Sequence, residues 1–448
     1  MTVIKGGKVA LPDVDEFVEV DLRIENEKIA EIGKDLPVGN DEVLDAKGLL
    51  VLPGGIDPHV HFNTPGYTDR EDFYHGSAFA AQGGITTVID MPCTSVPPVT
   101  DIDSFNRKLE VVSQQSVIDF GFYGGVSAQS FRSGFPKNME SLADHVLGYK
   151  TYFISGMETF GRVNHFQFER ILQVAKSLGR PVLLHAEDYD FVVHATETAK
   201  LLDESPVNYY LSRPELAEIL AVASALLIAE SVGAPLHIVH IGTARAAELL
   251  RQFDATGETC PHYLQFDVFD LKRIGSPLKT TPPVKLPHNK FGLWHLLAEG
   301  VIDFVASDHA PAPKEQKFTG SIWTDYAGIP GTGTLLPYMF SQGLMMARLS
   351  LRRFLEVTAE SAAKRYGIFD RKGSIEVGKD ADLVLIDPNA TWKVRGDNFL
   401  SKGHITPFEG MELRGKIVKT IVRGRVVFDS EKGILVKPGY GKLLRPSN

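Results

Sequence analysis

Apolar positions follow two rhythms along this chain, and the change of rhythm divides it. In the first 50 residues KGGKVA, EFVEVDLRIEN and EKIAEIG alternate apolar with polar residues or carry β-branched ones, and Gly- or Asn-rich turns separate them. That pattern predicts short strands. ADLVLIDP, KIVKTIVRGRVVFD and KGILVKPG repeat it at the other end. From roughly 52 to 365 the apolar runs are strand-like and regularly interrupted: GGIDPHV, ITTVIDM, VIDFGFYGG, LGYKTYFI, RPVLLHA, PLHIVHI, a short GETCPHY and VIDFVAS. Between several of them lie segments of helical periodicity, FQFERILQVAKSLG, PELAEILAVASALLIAESVG and PHNKFGLWHLLAEG.

Eight strand candidates in β–α alternation predict an α/β fold, a (β/α)8 TIM barrel rather than an open doubly wound sheet. No G-x-G-x-x-G follows the first strand, which removes the main reason for a dinucleotide-binding reading. The two β-rich ends predict one small β-sandwich-like domain, residues 1–51 and 379–448, around a barrel at 52–378. The alternative is two unrelated terminal caps.

Composition narrows the function classes. The 448 residues are 43% apolar and 23% charged, enough for a sizeable core. A net charge of −9 with no Lys/Arg-rich run argues against nucleic acid and anionic membranes as partners. The N-terminus lacks a secretory apolar region and no stretch of about 18 apolar residues occurs. Cys93 and Cys260 make no disulfide framework. A cytoplasmic enzyme is the simplest expectation.

The chemistry gathers at strand ends. His59 and His61 form an H-x-H pair closing the first barrel strand, where residues i and i+2 face one side. His185 closes the fifth strand, His240 the sixth and Asp308 the eighth, while Lys150 lies inside the fourth in an apolar setting costly for an ammonium. Singly, each has a bland reading: a satisfied histidine, a snorkelling lysine, a helix-capping aspartate. Together they predict a site at the C-terminal face of the barrel. Imidazoles with a carboxylate suit zinc, with manganese, iron or cobalt also admissible. His262 touches substrate, orders a neighbour or is structural; His309 orients a neighbour. His237, an odd number of positions from His240, faces away. The remaining histidines (75, 145, 165, 194, 288, 295 and 404) are expected in solvent. Neither cysteine has an evident adjacent base, so neither is expected to be a nucleophile.

PGGIDPHVHFNTPG, AAQGGITTVIDMP, GYKTYFISG, VLLHAED, HIVHIGTARAAELL, ETCPHYL, VASDHAP and FEGMELRGKIVKTIVRGRVVFD resemble, in order, the blocks of the cyclic amidohydrolases: allantoinases, dihydroorotases and hydantoinases/dihydropyrimidinases. The resemblance covers essentially the whole chain. It implies two divalent metal ions, zinc first, held by His59, His61, Lys150, His185, His240 and Asp308. It also implies CO2 addition turning Lys150 into N6-carboxylysine, with Asp308 both ligand and proton carrier. A small cyclic ureide or imide is the implied substrate, and a homotetramer or homodimer the implied assembly.

Within the family, Asn63 stands where dihydroorotases usually carry an arginine, and Cys93-Thr94 where they tend to have Asn-Thr. Ser155 and Ala327 replace the Tyr and Asn common in hydantoinases. HFNTPGYTDREDF, SRPELAEI and GSIWTDYAGIPG are most similar to the allantoinase branch, although TPPVK at 281–285 departs from it. Asn63, Ser155, His262, Thr281 and Gly331 are the expected substrate contacts. The rivals are a relative that kept the fold and lost the site, which the intact ligand set opposes, and a single-metal deaminase, which Lys150 opposes.

Overall fold

The computed structural model describes residues 1–447. Its barrel strands are β1 (Gly55–Val60), β2 (Ile85–Asp90), β3 (Asp119–Phe122, resumed at Gly124–Gly125), β4 (Tyr149–Tyr152), β5 (Val182–His185), β6 (Leu236–Ile238), β7 (Ala255–Thr259) and β8 (Phe304–Val305). Each pairs in parallel with the next. The ring closes where Val60 bridges His309 and the His61 N–H donates to the His309 carbonyl at 2.8 Å. Strands buried on both faces read as unbroken apolar runs, which is why they stand out in the sequence; every residue of β1 to β5 is buried.

The predicted helices form at His165–Ser177, Glu215–Val232 and Pro287–Ala298. Asn164 starts the first with a capping box to Gln167, and Gly233, at φ 67°, ends the second in the left-handed conformation glycine adopts without strain. His145 departs from its expected solvated state: it is half-buried against Phe105, with Nδ1 unpartnered among the described residues.

The chain ends do join. Leu50–Pro53 lies between Lys8–Ala10, in parallel, and Leu383–Lys393, antiparallel with Leu383 opposite Pro53. This seven-stranded sheet packs against a four-stranded one (Thr2–Lys5, Asp21–Glu25, Lys28–Gly33, Glu42–Asp45) through Ile4, Val9, Leu22, Val51, Leu385 and Ile421. The architecture is a TIM barrel with a β-sandwich built from both ends, and Leu50–Pro53 runs directly into β1.

Candidate active site

The mouth of the barrel is polar because several strands end there in ionisable residues. His59 within β1 and His61 just beyond it bring their rings to 5.3 Å, and His59 lies 5.4 Å from the His240 ring. Asp308 Oδ1 is 3.2 Å from both His59 Nε2 and His61 Nε2. His185 Nδ1 is 2.9 Å from His240 Nε2. Lys150 is buried in β4, its Nζ 4.9 Å from the centre of the Tyr152 ring, which stacks on His185.

Two of these residues lie further along the chain than expected. His240 is two residues past β6 and Asp308 three past β8. Both have left-handed backbone, φ 42° and 49°, which ends the ladder; Asn63 is similar at 57°. Such conformations cost about 1–3 kcal/mol each in non-glycine residues and concentrate at functional sites.

Protein partners turn the imidazoles. His59 Nδ1 donates to Glu258 Oε1, while the other oxygen, Oε2, accepts from His237 Nε2 at 3.1 Å. His185 Nε2 donates to Glu187 Oε2 at 2.9 Å, and the same oxygen pairs with Arg213. With Nδ1 protonated, His59 Nε2 is a bare lone pair facing a carboxylate oxygen. Two acceptors in contact repel unless a cation lies between them. His240 Nδ1 and Lys150 Nζ are also buried without a partner among the described residues, where unpaired polar atoms are costly. This donor set fits divalent cations.

The electrostatics agree. Burial, reinforced by Lys150 and neighbouring imidazoles against the pull of Asp308, holds the pKa of His59 well below the ordinary range; burial and His185 do the same for His240. Both are thus neutral, as ligands must be. Burial lowers Lys150 to about 8 despite Cys93, Glu258 and Asp308. Burial pushes the Asp308 carboxyl up, but His59, His61 and His240 outweigh it and hold it far below the usual carboxylate range. His61 goes the other way, raised by Cys93 and Asp308 against burial. A cation beside Asp308 would displace that proton.

A cavity of about 620 Å³ opens above these groups; Ser155 and Thr281 are in its wall, with Tyr67, Arg70, Arg213 and Tyr326. Ser155 Oγ is engaged locally, donating to the Phe160 carbonyl at 2.6 Å, and Thr281 Oγ1 pairs with Tyr209 Oη at 2.6 Å. Asn63 is fully buried and not in that wall, both side-chain amide atoms without a partner among the described residues. His262 is buried against Tyr263, with Nε2 unpartnered among the described residues and its pKa lowered by burial to about 4. Gly331 caps the helix Thr332–Tyr338 and donates its N–H to His309 Nδ1 at 3.1 Å; a Cβ there would meet Ser307 at 3.0 Å. His309 Nε2 reaches Glu71 at 3.2 Å.

One expectation is corrected. Cys93 has a base nearby: His61 Nδ1 at 3.8 Å, with Tyr152 Oη at 3.0 Å. The loop after β2 folds over the mouth and brings the thiol to His61, an adjacency that linear spacing does not contain. Glu258, Glu187 and Arg213 were not singled out from the sequence as groups that orient the site; the i, i+2 spacing of His185 and Glu187 is the one signal it carries.

The profile of the amidohydrolase family matches residues 50–427. An allantoinase of Rubrobacter xylanophilus is 37% identical over 99% of this chain and 97% of its own length, and one of Solibacter usitatus 35% over 99% and 96%. The solved L-hydantoinase (dihydropyrimidinase) of Arthrobacter aurescens superimposes with a TM-score of 0.94 at 32% identity, covering 99% of both chains.

Proposed function

The chain belongs to the amidohydrolase family, and from that premise we propose that it hydrolyses a ring C–N bond of a small cyclic ureide, allantoin first. The observation that carries this reading is the convergence of four histidines, Asp308 and an unpartnered buried lysine on one barrel mouth, with the bare His59 Nε2 facing an Asp308 carboxylate oxygen. His59, His61, Lys150, His185, His240 and Asp308 would hold two divalent cations, zinc first, with Lys150 carrying CO2 as N6-carboxylysine. When bound, such cations acidify water and polarise a carbonyl.

The chain's own groups do the rest. Glu258 and Glu187 each hold one imidazole with a chosen nitrogen turned to the site. Asp308, anionic at any working pH, takes the proton of the attacking water and returns it to the departing ring nitrogen. The cavity encloses the ring and limits competing water.

Similarity to allantoinases along almost the full length supports allantoin, and Asn63 in place of the dihydroorotase arginine agrees with it. A second reading, opening of a hydantoin or dihydropyrimidine ring, is favoured by the backbone match to the L-hydantoinase. Metal-loaded enzyme offered allantoin, dihydroorotate, hydantoin and dihydrouracil separates them, with metals counted per chain. Allantoin should give the highest kcat/KM with two metals bound. Faster turnover of hydantoin or dihydrouracil would transfer the assignment to the second reading, and a chain that binds no metal and opens no ring would overturn both.

A further inference from the structure

The cavity wall carries two guanidinium groups, and they differ in one respect. Arg213 is neutralised by Glu187. Arg70 pairs with no carboxylate among the described residues, yet it is held in a built setting. Its Nε donates to Gln316 Oε1 at 2.7 Å, and Gln316 Nε2 donates in turn to Asp69 at 2.8 Å. Its guanidinium carbon lies 4.9 Å from the centre of the Tyr67 ring and 4.6 Å from that of Tyr326, so aromatic faces fix the plane. The Tyr326 loop is itself tied down. Tyr326 N–H donates to the Gln316 carbonyl at 2.8 Å, and buried Lys317 Nζ donates to the Tyr326 and Gly328 carbonyls at 3.0 and 2.7 Å. Among the described residues Nε of Arg70 has the Gln316 acceptor and the Tyr326 hydroxyl also draws on the guanidinium, which still leaves the two terminal NH2 groups with donors to spare in the cavity wall.

A rigid cation with N–H donors to spare suits a planar, oxygen-bearing group, because two parallel N–H bonds match a carboxylate or a carbonyl flank. The reacting ring amide belongs at Asp308 and the histidines, so such a group would be carried on the ring rather than in it. We propose that Arg70 reads the exocyclic substituent of the substrate, donating hydrogen bonds to a ureido carbonyl or a carboxylate oxygen, and so selects substituted rings over bare ones. This rests on the ring-opening reading above.

Two matched pairs of rings test it. Allantoin is hydantoin with a ureido substituent, and dihydroorotate is dihydrouracil with a carboxylate. For wild type, Arg70→Met and Arg70→Lys, kcat and KM would be measured on all four, with folding checked by circular dichroism. In Arg70→Met the kcat/KM ratio of substituted to bare ring should fall about tenfold to a hundredfold, chiefly through KM, as expected when a charged hydrogen bond is lost. Arg70→Lys, which keeps the charge without the fork, should recover part of it. A fall confined to the allantoin pair identifies the ureido carbonyl, and one confined to the dihydroorotate pair the carboxylate. Ratios unchanged in both pairs, or equal losses on substituted and bare rings, overturn the proposal while leaving the ring-opening reading standing. If Arg70→Met does not fold, Gln316→Leu, which frees the guanidinium from its tether, should lower the same ratio by a smaller factor; an unchanged ratio there overturns it. A wild type that opens none of the four rings removes both the reading and this inference.

Discussion

Glu258→Gln is the substitution that most directly probes how the site is prepared. Glu258 is fully buried and uses both oxygens, one for His59 Nδ1 and the other for His237 Nε2. Glutamine keeps the shape and offers one acceptor oxygen for two imidazole N–H groups. Whichever imidazole meets the new NH2 loses its acceptor. For His59, the relief is a tautomer shift that protonates Nε2, the nitrogen facing Asp308. Partners of this kind typically contribute about 10–100-fold in metal affinity, or about 1.4–2.7 kcal/mol. In metal-free protein, loss of a charge-assisted hydrogen bond should lower stability by about 1.5–3 kcal/mol. Chelator competition would read the first quantity and denaturant unfolding the second. A variant that binds zinc within twofold of wild type would refute the orienting role of Glu258, whatever its stability.

Lys150→Ala should lose one of two bound metals, because no neighbouring anion replaces a carboxylated amine, and added short carboxylic acids should restore part of the activity; metal analysis showing two ions per chain would contradict this. Asp308→Asn should lower kcat by about 10²–10⁴-fold through loss of the base, with metal content falling less. Since the Asp308 carboxyl is held far below the usual range, its protonation should add no acidic limb to the rate profile between about pH 5 and 8. Burial raises Glu187, but Arg213 and His185 outweigh it and lower it from 4.5 to about 2. A depressed carboxyl stabilises the fold above its unfolded pKa and loses that contribution as pH falls through the folded one, so about 3 kcal/mol should disappear between pH 4.5 and 2. Unfolding of metal-free wild type and Glu187→Gln should therefore converge with acid, and parallel pH curves would count against it.

The barrel was legible because parallel strands covered on both faces cannot hide polar residues, so each apolar run ended where a side chain could face water or a ligand. His59, His61 and His185 were readable for that reason. The terminal sandwich was legible as strands, but its joining needed the pairing of Leu383 with Pro53, which no local pattern encodes. The groups that orient the site were harder. Glu258 reaches His59 across the barrel, and Arg213 reaches Glu187 from a different segment, so their roles depend on register and closure. Cys93 and Arg70 lie in loops folded over the mouth, where period and spacing carry no information. Asn63, His240 and Asp308 were readable as residues, whereas their left-handed backbone was not.

The seam between the chain ends has a consequence for how the protein is made. Leu50–Pro53 leaves the ribosome well ahead of the strand that covers its second edge, which starts 330 residues later, at Leu383 opposite Pro53. At about 5–20 residues per second, that edge waits roughly 15–65 s with its backbone amides and carbonyls unpaired. An open strand edge is a template for pairing with another chain. Nascent chains on one polysome would hold this edge bare in close proximity, so the protein's window of greatest vulnerability to aggregation falls during synthesis, before the strand that starts at Leu383 emerges.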